Sequence, residues 1–153
     1  MRDLFSDVDI NKDEAVWIAQ GLRALAKCDG LAAAELAMVE SLEGELGIES
    51  TAHDTFDADA SPLRGEPQQA VFVRTLVLLS LVDGRVSTRE TDFIVDACSR
   101  MGLSDDRRAE LEVDAKQYLL STLEGVRHFR QQAIAVGKRL GLSEAQIDEA
   151  LAN

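Results

Sequence analysis

Apolar residues recur at helical spacing in every long segment of the chain, and no segment alternates apolar and polar residues over the length of a strand. Residues typical of helix starts and helix ends divide this pattern into separate helices. Ser87 and Glu90 have the spacing of a capping box. Gly47, Gly102 and Gly141 each follow an apolar helical pattern, as helix-terminating glycines do. The pattern therefore predicts an all-α fold, a compact bundle of six or seven helices.

Two parts of the chain repeat one design. Asp29 and Asp83 each precede a glycine and stand 54 residues apart. Glu35 and Glu90 follow them at a separation of 55, because the second copy has one additional residue in its turn. Gly47 and Gly102, which end the two copies, are also 55 residues apart. Apolar residues match apolar residues between the copies. The repeat predicts two helical hairpins of the same design.

The 153 residues are expected to form a single domain. We place the two hairpins at about residues 12–48 and 67–103, with further helices after them. Residues 49–66 join the hairpins and contain five acids against the single base Arg64. Because Ser, Thr, Asp, Pro and Gly dominate this acidic connection, we expect it to be exposed and mobile, with few apolar anchors. If it docks on the body, Phe56 is the candidate anchor.

The second copy carries a family resemblance. It reads Leu-Val-Asp-Gly-Arg-Val-Ser-Thr-Arg-Glu over residues 81–90 and ends in a Gly-Leu pair at residues 102–103. An apolar helix, Asp-Gly, a later Glu and a closing Gly-aliphatic pair resemble the TerB-like family. The first copy, residues 27–35, departs from this pattern because its turn is shorter and lacks the capping serine. The resemblance extends over about residues 15–150.

The resemblance implies a compact all-helical fold of two repeated hairpins. The TerB-like family includes tellurite-resistance proteins and the N-terminal domain of a membrane-anchored J-domain co-chaperone. Its members are diverse and mostly not enzymes. The resemblance thus implies a role in chemical-stress response linked to metal ions, and protein partners that include membrane-associated ones.

Four acids form the candidate metal site: Asp29, Glu35, Asp83 and Glu90. Each Asp is expected at the C-terminal end of a helix, where the macrodipole disfavours an anion and a bound cation would relieve the conflict. If the hairpins pack about a pseudo-twofold axis, the four carboxylates converge on a site for Ca²⁺, Mg²⁺ or Mn²⁺, with Zn²⁺ less favoured. The alternative is that Asp-Gly is ordinary turn chemistry and that Ser87 capping accounts for Glu90.

Composition excludes several other classes. The net charge of −12 repels phosphate backbones and anionic lipids, so we expect no nucleic-acid partner and no direct membrane insertion. Two Cys and two His without metal-ligand spacing argue against a structural zinc site. The acidic first residues do not resemble an export signal, so a cytoplasmic location with Cys28 and Cys98 as thiols is expected.

Three functions remain open. The first is a non-enzymatic TerB-like module that binds divalent cations, partner proteins or both through an acidic face. The second is a protein–protein adaptor whose Asp-Gly turns are purely structural. The third, least favoured, is a small hydrolase or lyase, because no nucleophile stands beside His53 or His128 and a small helical bundle seldom forms a deep cleft.

Overall fold

The computed structural model describes residues 8–28, 30, 33–52, 54–82, 87–122 and 130–152. Within these ranges the chain forms seven α-helices and no strand, which confirms the predicted all-α bundle. The helices are α1 Lys12–Cys28, α2 Ala33–Glu45, α3 Glu66–Leu81, α4 Thr88–Arg100, α5 Asp105–Thr122, α6 Arg130–Arg139 and α7 Glu144–Leu151.

Several helices begin at the caps that the sequence signals. At α1, the Glu14 N–H donates to Asn11 Oδ1 at 2.8 Å and the Asn11 N–H donates to Glu14 Oε1 at 3.0 Å. Ser143 and Gln146 form the same reciprocal pair at α7. At α5, Ser104 Oγ accepts the Arg107 N–H at 3.1 Å. These side chains satisfy N–H groups that have no partner inside a helix.

The ends of α2 and α4 share one backbone geometry. Gly47 and Gly102 have φ of +68° and +78°, a conformation that L side chains rarely adopt. After each glycine, the next N–H donates to the carbonyl five residues earlier, at 3.1 Å and 2.9 Å. This is the Schellman ending in both places. The two hairpins thus close alike, whereas the Asp-Gly turns fall partly outside the described residues and their superposition stays a prediction.

Helix α3 is central, as its nearly continuous apolar sequence indicates. It packs against α1, α2, α4 and α5 and buries residues on all its faces, Phe72 and Leu76 completely. A smaller cluster around Leu120, Leu142 and Ile147 joins α5 to α6 and α7. No helix among the described residues is long and apolar enough to cross a membrane.

The acidic connection packs on the body of the protein. The Phe56 ring lies 5.0 Å from Trp17, 6.2 Å from Phe72 and 5.9 Å from Phe93, measured between centroids. Trp17 Nε1 also donates to the Asp57 carbonyl at 2.9 Å. Phe56, the candidate anchor, therefore docks on the body, while most of the other described residues of the connection are exposed, as expected. The mobility of the connection stays a prediction. One aromatic residue reaches α1, α3 and α4 together, and a polar composition does not reveal such a contact.

We expect Phe56→Ala to lower the free energy of unfolding by about 2 kcal/mol, because the substitution removes a half-buried ring and its contacts with three aromatic residues. Phe56→Leu, which keeps an apolar side chain, should cost less than half as much. Urea denaturation followed by Trp17 fluorescence measures both variants. Equal stability of Phe56→Ala and the wild type would contradict this docking.

Candidate functional site

Four glutamates are buried in the described part of the chain. Glu14, Glu35, Glu43 and Glu90 expose only 0%, 4%, 4% and 2% of their surface. A carboxylate removed from water is costly unless it is hydrogen-bonded, paired with a cation or bound to a metal. Each therefore identifies a place where the structure makes specific polar interactions.

Glu43 is the centre of a buried polar network between α1, α2 and the connection. Arg23 pairs with Glu43 Oε1 at 2.8 Å, and both side chains are almost completely buried. The Thr51 N–H and hydroxyl both donate to Glu43 Oε2, at 2.8 Å and 2.6 Å. Arg23 Nε donates to the Thr51 hydroxyl at 3.3 Å, which closes the network. The first part of the connection is thus fixed to both helices of the first hairpin.

Glu14 fixes the last part of the connection. Its Oε2 accepts the Arg64 N–H at 3.0 Å, and its Oε1 accepts from the Arg64 guanidinium, with Nε at 3.1 Å and a terminal nitrogen at 2.9 Å. Burial alone would raise the pKa of Glu14. The N–H groups of Asn11 and Arg64 and the Arg64 guanidinium outweigh burial and lower that pKa below its ordinary value.

Glu35 and Glu90, two of the four predicted site acids, are the remaining buried glutamates. They lie in the first turns of α2 and α4, at matching positions of the two hairpins. Ser87 Oγ accepts the Glu90 N–H at 3.1 Å and lies 3.2 Å from Glu90 Oε1, so the predicted serine cap is present. Asp29 and Asp83 lie outside the described residues.

No three His, Cys, Asp or Glu side chains of the described residues form a group that could hold a metal ion. His53 and His128 also fall outside the described ranges. The convergence of Asp29 and Asp83 with the two buried glutamates thus stays a prediction. What the structure adds is the burial of Glu35 and Glu90, one predicted site acid from each hairpin, which the sequence did not indicate.

The Cys98 thiol forms no disulfide. Cys98 is buried on α4, and burial raises the pKa of its thiol to about 11. The reactive form of cysteine is the thiolate, so a raised pKa makes Cys98 unreactive. Cys98 thus serves as a packing residue of the hydrophobic core.

The sequence analysis missed the two ion pairs that hold the connection. Arg23 stands among the apolar residues of α1, and Glu43 directly follows buried Leu42 in α2. A charged residue inside an apolar stripe signals a buried partner on another element. Glu14 stands three residues after Asn11, the spacing of a capping box, but its pairing with Arg64, 50 residues away, has no local signal.

The chain matches no protein-family model, no curated protein and no solved structure. The TerB-like resemblance therefore depends on the sequence pattern of the two Asp-Gly copies.

Stability should depend on the ionisation of Glu14. Because its folded pKa is lowered, its contribution is fully present above the unfolded value of about 4.3 and is lost as the pH falls through the folded pKa. We expect Glu14→Gln to cost about 1–3 kcal/mol at pH 7 and progressively less below pH ~4. Urea denaturation from pH 7 to pH 3 measures this, with Asp13→Asn, an exposed neighbour, as the control. If the difference in free energy of unfolding between wild type and Glu14→Gln does not change with pH, the lowered pKa of Glu14 is contradicted.

Proposed function

We propose that this protein is a non-enzymatic, cytoplasmic TerB-like module of the chemical-stress response. In this proposal it binds a divalent cation through the acids of its two hairpins, and partner proteins through its acidic surface. Asp29 and Glu35 belong to the first hairpin, and Asp83 and Glu90 belong to the second. Tellurite is an oxyanion that a protein of charge −12 repels, so any link to tellurite resistance is indirect.

The observation that carries the cation proposal is the matched burial of Glu35 and Glu90. Capping alone calls for an acid at the start of a helix, where the dipole favours it, but such acids are ordinarily solvated. Here the repeat buries the same acid in both hairpins, to 4% and 2% exposure. Each follows an Asp-Gly turn by a few residues. Brought together by the fold, a buried acid and a turn acid would form a pair suited to a hard cation.

The donor chemistry decides which ions to test. Carboxylate oxygens favour Ca²⁺, Mg²⁺ and Mn²⁺, whereas Zn²⁺ prefers nitrogen and sulfur ligands. Cys28 directly precedes the first Asp-Gly turn and could supply one sulfur ligand. The matching residue of the second copy is Val82, so the repeat does not supply the pair of thiols that would favour Zn²⁺. The bound cation would join the two hairpins and stabilise the folded state that presents the partner surface.

Calorimetry on chelator-stripped protein tests the proposal. We expect Ca²⁺ or Mn²⁺ to bind below about 1 mM and to raise the melting temperature. Asp29→Asn with Asp83→Asn should abolish that rise, because Asn keeps the turn propensity but removes the charge. Glu35→Gln and Glu90→Gln should each weaken binding while costing less than about 2 kcal/mol of metal-free stability.

Two exposed acids on the same helices provide matched controls. Glu40→Gln on α2 and Asp92→Asn on α4 remove one charge each from the surface. We expect both to leave cation binding unchanged. If they weaken it as much as the buried-acid variants do, the protein attracts cations only through its net charge.

The adaptor function is the alternative. If none of Ca²⁺, Mg²⁺, Mn²⁺ and Zn²⁺ binds below about 1 mM, the four acids are turn and cap residues and partner binding is the remaining role. Turnover in a broad substrate screen would instead support the hydrolase or lyase.

A further inference from the structure

An open groove lies between the connection and α4. Its volume is about 490 Å³, within the ~300–1,000 Å³ common for binding pockets. Residues 55–59 form one wall, and Phe93, Ala97 and Arg100 belong to the other. Neither Glu35 nor Glu90, the two described acids of the predicted cation site, lines the groove.

Aromatic and small side chains supply the apolar part of the groove. Phe56 and Phe93 are half-buried, with ring centroids 5.9 Å apart, so each still shows part of a face to solvent. Ala97 is buried beneath them, and Ala58 is half-buried. Large apolar side chains inserted between these walls would be removed from water at little ordering cost, because the docked connection already holds Phe56.

The charged side chains of the groove leave an excess of negative charge. Arg100 is held by Asp59, with two contacts of 2.9 Å and 2.8 Å, and by Asp96 at 2.8 Å. Asp57 also lines the groove, and its carboxylate accepts the backbone N–H of Asp59 at 3.0 Å. Three Asp against one Arg give the lining a net charge of −2, on a protein of net charge −12.

We propose that this groove, walled by Phe56, Phe93 and the acids Asp57 and Asp96, binds a basic segment of a partner protein that inserts an apolar side chain. The charge of the groove selects a cationic partner and excludes nucleic acid. An open groove suits an extended peptide better than a small molecule, which binds where most of its surface is enclosed. The inference extends the partner-binding half of the proposed function and does not depend on a cation.

Fluorescence anisotropy tests the proposal with labelled Lys-Lys-Phe-Lys-Lys and with the same peptide carrying alanine for phenylalanine. Chelator is present throughout, so failure of the cation proposal does not affect the result. We expect the phenylalanine peptide to bind about tenfold more tightly than the alanine peptide. Binding should weaken as salt rises, because the acids of the groove are exposed.

A pair of matched double variants separates the groove from the general charge of the protein. Asp57→Asn with Asp96→Asn removes the excess charge of the groove and leaves Asp59 to hold Arg100. Glu40→Gln with Glu144→Gln neutralises two exposed acids outside the groove, so both proteins have a net charge of −10. We expect the first to weaken binding of the phenylalanine peptide at least about threefold and the second less than about twofold.

Backbone amide NMR locates the peptide without relying on any variant. Shift changes confined to residues 55–59 and 93–100 are the expected result. Equal affinity for the two peptides, equal effects of the double variants, or shift changes elsewhere would each overturn the proposal. So would self-association of the protein through this groove, measured by sedimentation, because a second copy would then be its occupant.

Discussion

Two buried carboxylates hold the two ends of the segment that joins the hairpins. Glu43 accepts the backbone N–H of Thr51, and Glu14 accepts that of Arg64. A connection outside helices has few backbone partners of its own, so its buried N–H groups must find acceptors elsewhere. Between these two points, Phe56 packs on Trp17. Helix α3 starts at Glu66, the last residue of the connection, two residues after the Arg64 anchor.

The ion pairs make the arrangement sensitive to single changes. Arg23 and Glu43 are both nearly water-free, and removing one member of such a pair leaves an uncompensated buried charge, which costs about 3–5 kcal/mol. The pair of Arg64 and Glu14 is less buried, because the Arg64 side chain is about half exposed although the Glu14 side chain is completely buried. Glu14 therefore contributes mainly by accepting hydrogen bonds. The wall of the groove depends on the same anchors, since Phe56 and Asp57 belong to the connection.

The sequence predicts the local features of this fold well and the non-local ones poorly. Asn11 and Ser143 start helices, and Gly47 and Gly102 end them, because each acts on backbone groups within a few residues. The docking of the connection is non-local. Its Ser, Thr, Asp, Pro and Gly content agrees with the non-helical backbone of residues 49–52 and 54–65, but such content does not determine whether the segment packs.

The candidate site shows the same difference between local features, which the sequence predicts, and non-local features, which it does not. The repeat places Glu35 and Glu90 at the starts of two helices, and the structure has them there. Their burial is not visible in the sequence, because a capping acid and a buried acid occupy the same position in the pattern. A buried acid is recognisable only when its neighbours in space are known.

Hydrogen exchange of the connection tests the central claim, that the segment is bound to the body by buried acceptors. The account predicts that the amides of Thr51 and Arg64 exchange slowly, on the scale of the neighbouring helices, while exposed amides such as that of Thr55 exchange quickly. Fast exchange at Thr51 and Arg64, at the rate of an unstructured chain, would contradict it.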